Sequence, residues 1–213
     1  MKIRYLGHAC FEIMSTKGIK IITDPYTGVG YELPANLTAD IVTVSHAHFD
    51  HNYTQAVQSS FVVDGLGEYS FGDVGICGIS SYHDSEMGAL RGENIIYKIK
   101  IDEITLCHMG DIGEECSTEL VERIGEVDVL FIPVGGKYTV DALGAKRYIE
   151  AIKPKVVIPM HYRPDDGVLD IATEDAFLKL YPIGEVEIVQ EGILKFCEDT
   201  QRVIFLERVK TNE

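Results

Sequence analysis

Residues 45–52 read SHAHFDHN, and they hold three histidines and one aspartate within the six positions from 46 to 51. The whole chain of 213 residues has only seven histidines, so this cluster stands far above the average density. Neutral imidazole and carboxylate together suit a borderline divalent cation such as zinc. The pattern HxHxDH therefore predicts a metal centre, and it is much more specific than an isolated pair of histidines.

The cluster follows residues 39–44, an apolar run that is typical of a buried strand. Alternation along a strand places His46, His48 and Asp50 on one face, whereas His51 needs a turn to join them. A strand that runs into a loop supplies that turn. A polar loop that happens to be rich in histidine is the simple alternative, but partners for a metal site exist further along the chain.

Three other candidate ligands occur downstream of the cluster. They are His83 in SSYHDSE, Asp111 in HMGDIG and His161 in VIPMHYR. Four ligands in the cluster and three downstream make seven, which is too many for one four-coordinate ion and fits two ions that share a carboxylate. Asp111 and His161 each follow a predicted strand, and loops at strand ends are where proteins of this kind place their chemistry.

Composition and charge narrow the class of protein. With 46% hydrophobic and 25% charged residues, the chain is ordinary for one globular domain spanning residues 1–213. A net charge of −15 without a cluster of Lys and Arg argues against a nucleic-acid partner. No stretch approaches the roughly 18 apolar residues of a membrane helix, and the N-terminus lacks a signal pattern.

The five cysteines are scattered, odd in number and without a CxxC pair, which predicts free thiols in a reducing compartment. We therefore expect a cytoplasmic protein that acts on a small molecule and has neither a nucleic-acid nor a membrane partner. The oligomeric state stays open, with a homo-oligomer as one option.

Strand patterns dominate the first half of the chain, and helices alternate with strands in the second half. Apolar or alternating runs predict strands at 2–6, 10–14, 19–24, 39–48, 60–65, 69–80, 94–102, 104–111, 127–136, 155–162, 185–189, 193–196 and 202–208. Helices are predicted at 116–126, with Ser117 or Thr118 as the cap, at 140–153, with Thr139 or Asp141 near the cap, and around 173–181. This order predicts sheet layers with helices outside them.

The chain resembles the metallo-β-lactamase-fold hydrolases, and within them the small single-domain group that includes ascorbate-6-phosphate lactonase-like proteins. The matching stretches span most of the chain in the family's order, and they read YLGHACF, ITDPY, SHAHFDHN, SSYHD, LRGENIIYKI, HMGD, DVLFIPVGG and KPKVVIPMHY. The resemblance implies a mixed α/β (α+β) fold, a four-layer αββα sandwich, with both metals at one edge between strand ends.

The resemblance also implies how the ligands divide between two divalent metal ions. The first set is His46, His48 and His83, the second set is Asp50, His51 and His161, and Asp111 bridges both ions. His83 has an alternative, because Asp84 adjoins it. Zinc is the expected metal, with manganese or iron as alternatives, since imidazole and carboxylate suit all three.

The implied chemistry is hydrolysis by a hydroxide that bridges the two metals, so no protein nucleophile is needed. Asp50 is the expected proton shuttle, and His108 in CHMGD is the other candidate catalytic residue. The alternative for His108 is a hydrogen-bonded core histidine. Asp24 in TDPY is a candidate partner for a ligand imidazole N–H, or else a turn cap before Pro25.

Several residues near the matching motifs are candidate substrate contacts. They are His8, Arg91, Lys137, Tyr138 and Arg163. Arg91, Lys137 and Arg163 are candidates for binding an anionic group of the substrate, although each alone is more often a solvated surface charge. His8 has the same alternative as His108. The polar segment 84–94 is a candidate lid, and the paired glycines at 135–136 allow either a close ligand approach or a simple turn.

The predicted function is a dinuclear metal-dependent hydrolase that cleaves a small, anionic ester, lactone or phosphodiester. The alternative is a metal-binding sensor or partner-binding protein that keeps the site without turnover. The complete set of seven ligands favours the enzyme, because a non-catalytic descendant need not keep a bridging carboxylate or a proton shuttle.

Overall fold

The first predicted strands assemble into a five-stranded sheet in the computed structural model, which describes residues 1–182, 184–189 and 202–209. The strands are β1 (Lys2–Gly7), β2 (Cys10–Met14), β3 (Lys20–Thr23), β4 (Leu37–Thr43) and β5 (Val57–Val63). They lie side by side in chain order. The first three pair antiparallel, whereas β3, β4 and β5 run parallel, so the chain returns to the same end of the sheet before each of the last two strands.

The second sheet has eight strands among the described residues. They are β6 (Gly67–Phe71), β7 (Val74–Tyr82), β8 (Glu93–Ile101), β9 (Ile104–His108), β10 (Val129–Pro133), β11 (Val156–Met160), β12 (Val186–Val189) and β13 (Arg202–Leu206). Their order is β12-β13-β11-β10-β9-β8-β7-β6. The strands from β6 to β9 are antiparallel, and those from β9 to β12 are parallel.

Two strand predictions need comment. The run predicted as one strand at 69–80 is a hairpin of two strands, because Gly72 and Asp73 form a turn between β6 and β7. The strand predicted at 193–196 lies outside the described residues, as does Cys197.

The main core lies between the two sheets. Ile13 and Ile41 of the first sheet pack in one cluster with Ile99, Leu106 and Phe131 of the second, and each is at most 1% exposed. Burial of this apolar surface is the dominant favourable contribution to folding. The mixed α/β fold with two facing sheets is the one predicted from the sequence.

The helices cover the second sheet. They are α1 (Thr118–Ile124), α2 (Ala142–Ile152) and α3 (Asp175–Leu178), the last shorter than the predicted 173–181. Ser117 Oγ accepts a hydrogen bond from Leu120 N at 3.2 Å and so caps α1, while Asp141 caps α2 through Gly144 N at 2.8 Å. Because α2 contacts α1, α3 and β10, the three helices form one layer on this sheet.

The outer face of the first sheet is covered by an irregular segment, residues 24–36, where the described residues have no α-helix. Tyr26 and Val29 from this segment pack on Leu6, Ile22 and Val42 in a second apolar cluster. Pro and Gly recur in the segment, at positions 25, 28, 30 and 34, and they disfavour a regular helix. The fourth layer of the sandwich is therefore this irregular segment, where the αββα prediction expects helices.

The strand ends that precede the candidate ligands meet at one edge of the sandwich. β4 ends at Thr43 before the histidine cluster, and β7, β9 and β11 end just before His83, Asp111 and His161. β9 and β11 run parallel to each other through β10, and β7 also points the same way, so their carboxyl ends share one edge. None of the helices in the described ranges is long and apolar enough to span a bilayer.

Candidate metal centre

The HxHxDH segment forms the turn that its sequence predicts. The backbone N–H groups of His51 and Asn52 both donate to the carbonyl of His48 at 3.0 Å, which closes a tight turn directly after β4. This turn brings His51 back toward His46, and their ring centroids lie 4.4 Å apart. All four side chains of the cluster therefore face one point at the edge of the first sheet.

Asp111, from the second sheet, is the centre of the arrangement. Its carboxylate oxygens lie 3.2 Å from His51 Nε2, 3.3 Å from His83 Nε2 and 3.1 Å from His161 Nε2. His46 Nε2 is slightly farther away, at 3.9 Å. Burial alone would raise the pKa of Asp111, but the surrounding His161 and His51 imidazoles hold it well below its usual range.

The donor atoms in this cluster are short of partners, which fits a bound cation. The Nε2 atoms of His46, His51 and His161 and Oδ1 of Asp111 are buried without a hydrogen bond of normal geometry, although they lie close to one another. Buried polar atoms are costly unless they are paired. Divalent cations bound within the cluster would satisfy these atoms, so the residues present fit the metal that the motif predicts.

The ligand atoms also fall into compact groups, within each of which all atoms lie within 4.8 Å of one another. The groups are His46–His48–His83, His46–His51–Asp111 and His8–Asp50–His51–His161. The first group coincides with the predicted first ligand set, and the last contains the predicted second set. The division of these ligands between two ions stays a prediction.

Hydrogen bonds on the far side of three rings turn their Nε2 atoms inward. His46 Nδ1 lies 2.9 Å from Ser45 Oγ, His51 Nδ1 lies 2.8 Å from Asp24 Oδ2, and His83 Nδ1 lies 3.0 Å from the carbonyl of Tyr138. Such bonds fix the tautomer and the ring plane of a ligand histidine. The rings are thus oriented by the protein itself.

Asp24 is the residue that links two of these rings. It is fully buried, and besides His51 it accepts hydrogen bonds from Ser45 N at 2.8 Å and from Ser45 Oγ. Burial opposes ionisation of Asp24, but the hydrogen bond from His51 and the nearby His108 outweigh it, so its pKa is lowered. Asp24 therefore lies where it can orient the His51 ring, and its role beside a metal ligand stays a prediction.

Two orienting residues were not identified from the sequence, Ser45 and Asn94. Asn94 is fully buried, and its Oδ1 accepts from Asp111 N at 2.8 Å while its Nδ2 donates to Ser81 Oγ and Met109 O. This contact needs Gly110, where the backbone φ is +53° and a Cβ atom would lie 2.3 Å from Asn94 Oδ1. The only sequence signals were Ser45 next to the histidine motif and Asn94 within a family-matching stretch.

His8 does not contact the cavity as predicted for a substrate-binding residue. Its side chain is 1% exposed, and its Nε2 lies 3.2 Å from Asp50 Oδ2, behind the ligand cluster. Burial, together with the nearby His161, lowers the pKa of His8 to about 4, so the neutral ring donates its N–H to the carboxylate. His8 thus lies beside Asp50 and not among the residues that line the cavity, and its predicted role in substrate binding stays a prediction.

His108, the other predicted catalytic residue, is likewise not among the residues that line the cavity. Its ring is fully buried against Phe11 and Phe131. Nε2 donates to the carbonyl of Ala9 at 2.8 Å, and Nδ1 accepts from Gly110 N at 3.2 Å. With both nitrogens bonded to backbone, the ring has no atom left to exchange a proton with a substrate. His108 is the hydrogen-bonded core histidine that was the alternative.

A cavity of about 310 Å³ opens above the cluster. Its lining residues are His48, Phe49, Asp50, His83, Arg91, Asp111, Tyr138, His161 and Leu169. Arg91 and Tyr138 are therefore at the cavity as predicted, and the Arg91 guanidinium lies 5.3 Å from the centre of the Tyr138 ring. This is the site at which a small molecule could reach the metal ligands.

The other two predicted cations are not among the residues that line this cavity. Lys137 forms an ion pair with Asp170, and its Nζ lies 5.5 Å from the centre of the Tyr138 ring. Arg163 is exposed and borders a different, smaller crevice, which His8 and Tyr162 also line. Their prediction as anion-binding residues is corrected accordingly, which leaves Arg91 as the cation that lines the cavity.

Residues 84–92, within the predicted lid, form a turn that is held by one carboxylate. Asp84 accepts hydrogen bonds from the backbone N–H groups of Glu86, Gly88, Leu90 and Arg91, at 2.7–2.9 Å. The carboxylate of Asp84 is thus occupied by the backbone, and the neighbouring His83 is the residue that faces Asp111. This turn carries Arg91 to the cavity wall.

Comparisons with known proteins show the family to which the chain belongs. Residues 2–161 match the sequence model of the beta-lactamase superfamily domain. A UPF0173 metal-dependent hydrolase from Carboxydothermus hydrogenoformans is 31% identical over 192 residues, which cover 76% of this chain and 84% of that protein. A solved structure from Thermotoga maritima, a proposed zinc-dependent hydrolase of the metallo-beta-lactamase superfamily, is 36% identical, with a TM-score of 0.81 over 98% of this chain and 99% of that one.

A second solved structure shares the fold at lower identity. It is a metallo hydrolase from Ignicoccus hospitalis, 22% identical, with a TM-score of 0.62 over 76% of this chain and 82% of that chain.

Proposed function

The chain belongs to the beta-lactamase superfamily as a metal-dependent hydrolase, and we propose that it holds two divalent ions and cleaves a small anionic ester, lactone or phosphodiester. The observation that carries this proposal is the convergence of unpartnered, buried imidazole nitrogens on Asp111 at the base of an open cavity. Zinc is the proposed metal, and manganese or iron would suit the same ligands.

The proposed ligand sets follow the geometry of the cluster. His46, His48 and His83 would hold one ion, Asp50, His51 and His161 the other, and Asp111 would contact both. Bound divalent ions supply two things there: they polarise the scissile group and they lower the pKa of water. Support for a shared role of Asp111 comes from its position 3.1–3.3 Å from ligand nitrogens of both sets.

Asp50 is the proposed group that takes up and returns a proton during hydrolysis. It lines the cavity, and its Oδ2 accepts the hydrogen bond from His8. Burial acts to raise the pKa of Asp50, but the hydrogen bond from His8 and the nearby His51 outweigh it, so the pKa is lowered and the carboxylate is ionised. His8 keeps the carboxylate in one orientation while it takes up and returns the proton.

Removal of metal tests the proposed function. After dialysis against a chelator, the protein should turn over no member of a panel of lactones, thioesters, phosphodiesters and sugar phosphates, and zinc, manganese or iron should restore turnover of at least one class. Metal analysis should give about two ions per chain at full activity. Full activity with one ion per chain would contradict the dinuclear site, and two bound ions without any turnover would favour the non-catalytic alternative.

Arg91 is expected to contribute to binding of the anionic substrate. Arg91→Ala should raise KM by about tenfold to a hundredfold, since a hydrogen bond to a charged group is worth about 1.5–3 kcal/mol, with a smaller change in kcat. Arg163→Ala is the matched control, because Arg163 is exposed and borders a different crevice. Steady-state kinetics of both variants with the best substrate of the panel checks this. An unchanged KM in Arg91→Ala would mean that the cavity binds a substrate without a negative charge at this position.

A further inference from the structure

Phe49 is an apolar side chain in an unusual position. It lies between two ligands, His48 and Asp50, yet its side chain is 58% exposed and lines the cavity. The ring leans on the backbone of Gly28, where a Cβ atom would be 3.1 Å from the ring. Because the flanking residues are candidate metal ligands, the ring lies beside the candidate metal centre.

Other walls of the cavity are apolar as well. Leu169 lines it, and so does Tyr138, whose ring lies beside Arg91. Leu90 and Val168, the neighbours in sequence of two lining residues, are each 69% exposed. Exposed apolar surface collected around the mouth of a cavity marks a binding site.

The lining also argues against a substrate rich in hydroxyl groups. Among the described residues that line the cavity there is no Ser, Thr, Asn or Gln, so a sugar would meet few groups able to bind its hydroxyls. Sites that recognise hydroxyl groups place hydrogen-bonding partners against them. Here the polar groups are the metal ligands, one arginine and the phenol of Tyr138.

We propose that the substrate carries an alkyl or aryl group next to its anionic or scissile group, and that Phe49 and Leu169 bind this apolar group. The inference rests on the proposed function and specifies its substrate class. The scissile group would lie over the metal ligands, the anion beside Arg91, and the apolar group between Phe49 and Leu169. Phe49 is then a specificity-determining residue for the reaction.

A series of alkylphosphonates tests this without requiring turnover. Calorimetric binding to the zinc-loaded protein should strengthen about twofold to fourfold per added methylene from methyl- to hexylphosphonate, as expected for burial of CH₂ groups. Phe49→Ala and Leu169→Ala should flatten this dependence, and metal analysis of both variants checks that the metal site is intact. Leu143→Ala is the matched control, since Leu143 lies on α2 and is 55% exposed away from the cavity.

Equal affinities for methyl- and hexylphosphonate would overturn the inference. They would not contradict metal-dependent turnover, which the chelator experiment tests separately. A length dependence that is unchanged in both variants would also overturn it. If in that case the protein sediments with phosphatidylcholine vesicles, the apolar rim is a lipid-binding face. A milder variant, Phe49→Leu, should keep part of the length dependence because it keeps part of the apolar surface.

Discussion

Asp111→Asn is expected to lower the metal content from about two ions per chain toward one and to abolish turnover. The carboxylate lies within 3.3 Å of ligand nitrogens from both proposed sets, so its charge acts on both ions. An amide offers one carbonyl oxygen and no negative charge, and repulsion between the two cations is then no longer offset. Several kcal/mol of lost charge stabilisation correspond to a loss of turnover of about 10³-fold or more.

The fold should survive this substitution, because an amide has nearly the volume of a carboxylate and the site lies at the edge of the sandwich. Metal analysis, kinetics and circular dichroism on the same preparation check the three parts together. Asp73→Asn is the matched control, because Asp73 is 68% exposed and pairs with Lys17. It lies in the turn between β6 and β7 and is not a candidate ligand. Two retained ions with near-normal turnover in Asp111→Asn would show that Asp111 is not the bridge.

Asp24→Asn should weaken metal binding although Asp24 itself contacts no metal position. One of its oxygens accepts from His51 Nδ1 and from Ser45 Oγ, and the other accepts from Ser45 N. An asparagine must turn its NH₂ group toward one of these donors, so at least one orienting bond is lost. Loss of such a partner typically reduces metal affinity about tenfold to a hundredfold.

The same substitution should also lower the free energy of unfolding, because each hydrogen bond to a buried charge contributes about 1.5–3 kcal/mol. Asp128→Asn separates the two effects. Asp128 likewise accepts a backbone N–H, from Thr105 at 2.8 Å, but it lies at the opposite ends of the strands. Chelator competition should show weaker metal binding for Asp24→Asn alone, while thermal melting should show destabilisation of both. Equal metal affinity of the two variants would rule out an orienting role of Asp24.

The meeting of the candidate ligands at one edge could be predicted from the sequence because part of their spacing is dictated by local geometry. His46, His48 and Asp50 alternate along an extended segment, and a turn at His51 follows directly from the need to bring it back. Asp111 and His161 each follow an apolar run that can only be a strand. Local sequence patterns therefore place each of these residues at the end of a strand. The strand ends then bring them together because they meet at one edge of the sandwich.

The supporting residues could not be predicted in the same way, because their roles depend on which strand lies next to which. His8 and His108 look alike in sequence, each within a family-matching stretch, yet one bonds to Asp50 and the other to the backbone of Ala9. Burial decides between these roles, and burial is a property of the packed sheets. The positions of Lys137 and Arg163 outside the cavity lining likewise depend on how the elements pack in the folded chain.

The fourth layer shows a further limit. The segment 24–36 has no periodic pattern, so the sequence gives no direct sign that it packs against a sheet. Its aromatic residue Tyr26 is nonetheless almost fully buried, and its hydroxyl donates to the carbonyl of Leu6 at 2.8 Å. A segment without regular structure can thus complete a core when its few apolar side chains match the face beneath it.

The candidate ligands come from both sheets: the turn after β4 supplies one part, and the ends of β7, β9 and β11 supply the other. An ion that binds both parts can bind only while the sheets are docked, so metal occupancy and unfolding form one coupled equilibrium. By mass action, free metal at a thousand times its dissociation constant would add about 4 kcal/mol to the free energy of unfolding. Metal supply in the cell would then set the lifetime of this protein against proteolysis as well as its activity.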